Sequence, residues 1–401
     1  MADPETFDII IIGSGSAGSV LADKLSQDGR LRILVLEAGG HDQRLWIKIP
    51  VGYGKLFYDQ RVNWKFEAQP DAGLNGRRIY FPRGKVVGGS SSINAMVYCR
   101  GLPHDFDDWQ AAGNPGWGWD DVRPVYESFE RRIDPDGRAT GQGPLCVSDV
   151  RRELHPLEKS FFAAAGQAGL PLTDDFNGDH PEGVGRYRIN TRAGRRWSAA
   201  DAFLRPALRR PAVTLRTGAA VSRILFEGRR ACGVRYVQDG VVREARARRA
   251  VIVSAGAVQS PQLLQVSGIG PGDLLHSLGI PVVHANNAVG GNLQDHLAMS
   301  YYYESRMPTL NQVLGSPWGR VGVGLRYLLT RRGPLSISVN QCGGFVRSDA
   351  DRSCPDLQLY CNPITYTLAT SDQGTQIVPD RYPGFILCFQ PCRPRSRGRI
   401  D

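Results

Sequence analysis

The stretch FDIIIIGSGSAG, Phe7–Gly18, constrains this chain more than any other. A short apolar run followed at once by Gly-x-Gly-x-x-Gly predicts a buried strand, a tight turn and a helix. Each glycine has a physical task in such a unit. Gly13 allows the turn, Gly15 lets a pyrophosphate approach the backbone, and Gly18 lets the helix pack on the strand. Ser16 and Ala17 then open the helix, where free N–H groups and the positive dipole end suit an anion. A carboxylate, Glu37, follows Gly18 by 19 residues at the end of the next apolar run, Leu31–Leu36, with Ala38 beside it. That is the place from which a carboxylate bridges ribose hydroxyls. Without Glu37 the same glycines would describe a turn in any α/β protein. The pattern implies a bound dinucleotide and does not choose between NAD and FAD.

The rest of the chain predicts an α/β fold in two parts. Strands are expected at Phe7–Ile12, Leu31–Leu36, Val213–Arg216, Ala220–Phe226, Cys232–Gln238, Val241–Ala247 and Ala250–Ser254. Helices are expected at Ser16–Gln27, Pro103–Ala112, Asp120–Arg131, Pro156–Ala168 and Val258–Val266, with another starting near Ser92. The span Ala38–Pro82 is loop-rich, where a nicotinamide-binding domain would continue with βα units. Beyond His296 the pattern changes to strands at Ser300–Glu304, Cys342–Arg347, Leu357–Cys361 and Phe385–Gln390, with a helix at Arg320–Thr330. A parallel cofactor-binding domain joined to an antiparallel-sheet part follows from that order.

A second glycine-rich stretch, RGKVVGGSSSINAMVYCR at Arg83–Arg100, adds a loop whose N–H groups can wrap an anion and an apolar-flanked Asn94. Composition argues against other functions. The net charge is +10, yet only six of the 49 basic residues are Lys and the Arg pairs are scattered, so no nucleic-acid footprint emerges. The N-terminus lacks a basic leader and no apolar run reaches transmembrane length, which predicts a soluble cytoplasmic protein, with peripheral membrane association compatible. The eight Cys are dispersed and expected as free thiols, and the seven His show no metal-binding spacing.

Four elements together resemble the glucose-methanol-choline (GMC) family of FAD-dependent oxidoreductases, in its choline dehydrogenase-like, alcohol dehydrogenase branch. GKVVGGSSSIN at Gly84–Asn94 is similar to the first family signature and GAVQSPQLLQVSGIG at Gly256–Gly270 to the second. DFDDW at Asp105–Trp109 and GGNLQDH at Gly290–His296 also match, in order and spacing. The resemblance implies an FAD-binding Rossmann-like domain at residues 1–147 and 191–297 and a substrate domain at 148–190 and 298–401. It implies Gly13, Gly15, Ser16, Ala17 and Gly18 at the pyrophosphate, and Glu37 and Ala38 at the adenosine ribose. It puts Trp64, Val87 and Gly89 in the cofactor site, Asn94, Ala95, Met96 and Val97 along the flavin, and Val221 at the adenine through its backbone. By pattern alone Val221 is a core strand residue, Trp64 is packing, His296 is structural, His104 is a surface or capping residue, and Trp117–Trp119 is a packed turn. Where some members carry a flavin-linking His, this chain has Ile93, so a non-covalent FAD is expected.

The implied chemistry is hydride transfer from a primary alcohol to the flavin, with a quinone-like carrier or oxygen as electron acceptor. Asn340, Gln341 and Tyr360 are candidates for the substrate pocket. The family's catalytic His, and the His or Asn after it, have no counterpart, since no His follows His296. The 401 residues are therefore expected to be a truncated enzyme, one half of a split enzyme completed by a second chain, or a remnant. An FAD-dependent lyase and a non-catalytic flavin-binding subunit are the alternatives.

Overall fold

The computed structural model describes residues 5–371 and 374–401. One six-stranded sheet is built from β1 (Glu5–Ile12), β2 (Ile33–Leu36), β3 (Val213–Arg216), β4 (Ala219–Glu227), β5 (Arg230–Gln238) and β6 (Val241–Val253), in the order β3-β2-β1-β6-β5-β4. The first four of that order are parallel, and β5 and β4 return antiparallel. A parallel sheet is covered on both faces, so its strands read as continuous apolar runs. Here Ile10 and Ile11 of β1 and Ile33, Leu34 and Val35 of β2 are fully buried. One core lies on each face of this sheet: Phe7, Ile10, Leu34 and Tyr236 on one side, Ile9, Ile11, Ile33 and Val35 on the other.

The second sheet has five antiparallel strands in the spatial order Met299–Glu304, Gly384–Pro391, Leu357–Asn362, Cys342–Val346 and Gly183–Arg186. Strand Gly183–Arg186 is contributed from far upstream, between segments that serve the first sheet. All eight Cys are free.

Three expectations are corrected by the structure. Val241–Ala247 and Ala250–Ser254 are not two strands but one, β6, which pairs with β5 over Val241–Arg246 and with β1 over Ala245–Val253. The pairing register with β1 slips between Phe7 and Ile9, where β6 passes through Arg248-Arg249, so the polar pair marks a bulge rather than a turn. No helix begins near Ser92. Gly88 and Gly89, both at positive φ, lead into a single 3-10 turn, Gly89–Ser92. The Ser91 and Ser92 hydroxyls donate back to the carbonyls of Gly88 (2.6 Å) and Val87 (2.7 Å), the local competition that keeps serines out of helix interiors. The helix expected to reach Arg131 spans Trp119–Phe129, and Glu130 instead opens a strand where its carboxylate accepts from Arg100 Nε at 2.6 Å.

Candidate functional site: a cleft between two glycine-rich loops

At the C-terminal ends of β1, β2 and β6 lies a cleft of about 670 Å³, within the several-hundred Å³ range typical of cofactor sites, roughly 300–1,000 Å³. This is where ligands bind in open α/β sheets. Its floor is the turn after β1. Gly13 has φ +93°, and a Cβ there would stand 2.6 Å from the Ser254 carbonyl oxygen at the end of β6. Gly18 has no room either, since a Cβ would reach 2.0 Å from the Gly13 carbonyl oxygen. Gly18 therefore packs beneath the turn and does not line the cleft.

Gly15 differs. A Cβ on it would meet only Gly89 Cα, at 3.8 Å, so the space above it is open. Gly89, at φ +55°, presses the second loop onto the first, and its own Cβ would lie 2.7 Å from Gly15 Cα. The two loops are also tied by Gly88 N–H donating to Ser14 O at 3.1 Å. Two helices start at the cleft. Ser16–Leu25 begins after Gly15 with no side-chain cap, and Gly256–Val266 begins after Ala255, also uncapped. Uncapped N-termini leave backbone donors for an anion. Arg83 lines the same wall and is held below its ordinary pKa by burial.

Glu37 is 5 % exposed and joins the two strand ends. Its Oε2 accepts from the Ser14 N–H at 3.0 Å and the Ser14 hydroxyl at 2.6 Å, and its Oε1 from the Gly39 N–H at 2.8 Å. A carboxylate offers about four acceptor positions, so one remains beyond these three. Burial raises its pKa, against the lowering effect of those three donors. On the far wall β4 bulges. Val221 pairs with Tyr236 and Arg223 with Arg235, which leaves Ser222 without a ladder partner beside the cleft. A bulge frees backbone polar groups that a sheet would otherwise use.

Of the residues expected from sequence, the cleft brings together Gly13, Gly15, Ser16, Ala17, Glu37, Ala38, Trp64, Gly89 and Val221. Trp64 stacks on Phe66 with ring centroids 5.8 Å apart, and Lys85 Nζ sits 4.5 Å from its ring. Val87 lies elsewhere, 4 % exposed in the core against Ile9 and Ile11. Asn94, Ala95, Met96 and Val97 do not line the cleft; Met96, at φ +64°, is buried with Ile189 and Ile337. Gln341 is buried, its Oε1 accepting from the His155 N–H at 2.7 Å, and Tyr360 packs on Tyr187. Neither lines the cleft. His296 contacts the Cys392 carbonyl at 3.1 Å and Gln390 at 3.3 Å.

Sequence reading missed Ser254–Ser260, which forms one whole side. The signal was present, because Gly256 opens the second family-like stretch. It also missed Arg196, 1 % exposed, which donates to the carbonyls of Ile47, Ser91 and Asn94 and to Asn94 Oδ1. Burial lowers its pKa to about 9, which still leaves it a cation at neutral pH. No periodicity announces such a residue.

Residues 7–298 match the family model described as GMC oxidoreductase. The chain is 41% identical to the alcohol dehydrogenase [acceptor] of Pseudomonas putida, over 98% of this chain and 71% of that protein. It is 40% identical to the oxygen-dependent choline dehydrogenase of Photobacterium profundum, over 98% of this chain and 69% of that one. Among solved structures, pyridoxine 4-oxidase from Mesorbium loti superposes with a TM-score of 0.83 at 31% identity, covering 98% of this chain and 72% of the other. Loops, helix starts, buried carboxylate and bulge all fit a dinucleotide. The chain belongs to the GMC oxidoreductases, a family of FAD-dependent enzymes.

Proposed function

We propose that this chain holds FAD non-covalently in the cleft and serves the oxidation of a primary alcohol at its CH–OH carbon. The observation that carries the reading is the meeting of two glycine loops, two uncapped helix N-termini and the buried Glu37 in one cleft. When bound, FAD supplies the hydride acceptor, flavin N5, and later yields its electrons to a quinone-like carrier or to oxygen.

The chain's own residues bind and orient. Gly15 and Gly89 leave space for the pyrophosphate, and Ser16, Ala17 and Gly256 present N–H groups to it. The remaining acceptor position of Glu37 takes a ribose hydroxyl. The bulge at Val221 and Ser222 offers backbone groups to the adenine edge. Arg196 fixes Ser91 and Asn94, and the family resemblance puts Asn94 beside the flavin. Ile93 gives no atom for covalent attachment and is buried against Ile47, Leu56 and Val86. In this reading residues 1–147 and 191–297 serve the cofactor, and 148–190 and 298–401 serve the substrate.

The alcohol proton needs a base. Among the described residues lining the cleft there is no His. In this reading the base comes from outside the cleft, from the part of the relatives' length that this chain does not span or from a second chain. The same observation favours a second reading, FAD binding without turnover by these residues alone. Titration with FAD followed by anaerobic addition of a primary alcohol tests both. FAD retention with no bleaching supports the second reading. Bleaching by alcohol supports turnover, and failure to retain FAD overturns both.

A further inference from the structure

An anionic ligand needs a counter-charge, and one cation faces the cleft. Among the described residues that line it, the charged side chains are Glu37 and Arg83. Glu37 is engaged by Ser14 and Gly39. Arg83 has no such neutralising partner. Its Nη1 donates to the carbonyl of Pro82 at 2.7 Å, and its guanidinium lies 3.9 Å from the centre of the Phe81 ring. Among the described residues it forms no ion pair. The charge of Asp295 acts on it from further away, yet burial prevails and holds its pKa down. A guanidinium has five N–H donors, so the bond to Pro82 leaves most of them open. A half-buried cation with open donors is costly unless an anion meets it.

The backbone puts this charge at the glycine end of the cleft. The Arg83 N–H donates to Asn63 Oδ1 at 3.0 Å, and its carbonyl accepts from the Trp64 N–H at 2.9 Å. Beside it, Gly84 presses on the second glycine loop, where a Cβ would stand 2.3 Å from the Gly89 carbonyl oxygen. Gly89 presses in turn on Gly15. Gly84, Gly89 and Gly15 therefore stack backbone on backbone, and Arg83 stands next to the stack. The uncapped helix Ser16–Leu25 starts at the same point. Backbone N–H groups and a helix end offer only partial positive charge, whereas each phosphate of a pyrophosphate carries a full negative one.

We propose that Arg83 neutralises the pyrophosphate of the bound cofactor and makes the cleft select a nucleoside diphosphate unit over an uncharged nucleoside. The proposal rests on the reading of the cleft as the FAD site and adds to it the side chain that carries the counter-charge.

The test compares FAD, ADP and adenosine on the 401-residue chain and on its Arg83→Gln variant, FAD by titration calorimetry and the other two by competition with FAD. ADP keeps the diphosphate and adenosine lacks it. Arg83→Gln should weaken FAD and ADP by about tenfold or more and leave adenosine within about twofold. Salt should weaken FAD binding to the unaltered chain more than to the variant. Arg83→Lys should recover most of the loss. Arg78→Gln, an equal charge change at an exposed position outside the cleft, should change nothing. Unchanged circular dichroism separates lost binding from lost folding. Equal FAD affinity in the unaltered chain and Arg83→Gln overturns the proposal while the FAD site stands. Equal loss for adenosine, or equal loss in Arg83→Lys or Arg78→Gln, also overturns it. Failure of the unaltered chain to bind FAD overturns the FAD reading itself, and the proposal with it.

Discussion

At Glu37 three donors and burial act against each other, and the balance sets a pH dependence. Burial raises the folded-state pKa above the ordinary carboxylate value. The folded protein then holds this proton more tightly than the unfolded chain does. The resulting stabilisation is fully present below the ordinary value and is lost as pH rises through the raised one. Glu37→Gln should abolish that slope. It should also cost about 1–3 kcal/mol at neutral pH, because an amide NH₂ must face a donor, either Ser14 or Gly39. Urea unfolding of both proteins across the acid range measures the two effects. Gly89→Ala is a backbone test: with φ +55° and a Cβ at 2.7 Å from Gly15 Cα, it should lose about 1–3 kcal/mol and lower the flavin bound per chain. A variant that retains full flavin absorbance would contradict the packing of the two loops. Arg196→Met should cost about 2–5 kcal/mol, as it orphans acceptors at Ile47, Ser91 and Asn94 inside the protein. Its thermal midpoint should fall well below that of an Arg195 variant, whose side chain is exposed. Glu37 could be singled out from sequence because its spacing from Gly18 is fixed by one helix and one strand. Arg196 could not, since its acceptors come from residues about 100 and 150 positions upstream.

Elements were legible where one period dominates. β1, β2 and the helix Ser16–Leu25 follow from an apolar run, glycines and a 3.6-residue pattern, and the structure has them within two residues of expectation. β2 is an interior strand buried on both faces, so Leu34→Ala, at a fully buried position, should lose about 2–5 kcal/mol by urea unfolding. A loss under about 1 kcal/mol would mean that the strand is not packed on both faces. The element that misled was Gly89–Ser92. Its serines can serve a helix start or bond backwards, and only the pressure of Gly15 on Gly89 decides for the turn. β6 misled for a related reason. Two consecutive Arg resemble a break, yet the chain continues because β1 accepts a register slip there.

Across the whole molecule the second sheet ends in an open edge. Among the described residues, strand Met299–Glu304 pairs on one side only, with Gly384–Pro391, and all six of its residues are exposed, Tyr301, Tyr302 and Tyr303 among them. An exposed edge rich in aromatics invites pairing with another chain. Tyr302→Lys should reduce concentration-dependent self-association in sedimentation velocity, with little change in folding. Equal association in both proteins would clear this edge of the role. The sequence by itself determined the cofactor-binding half: strand, turn, helix and carboxylate are encoded within Phe7–Glu37, and local spacing suffices to bring them to one point. The tertiary structure alone decided how the cleft is closed. Its far walls come from Arg83, Gly84, Gly89 and Ser90, from Ala219–Ser222 and from Ser254–Ser260, and the last two meet the turn after β1 because β6 lies beside β1 and β5 and β4 follow it in the sheet. Contacts across such separations depend on sheet order and register, and no pattern within a window of sequence specifies either.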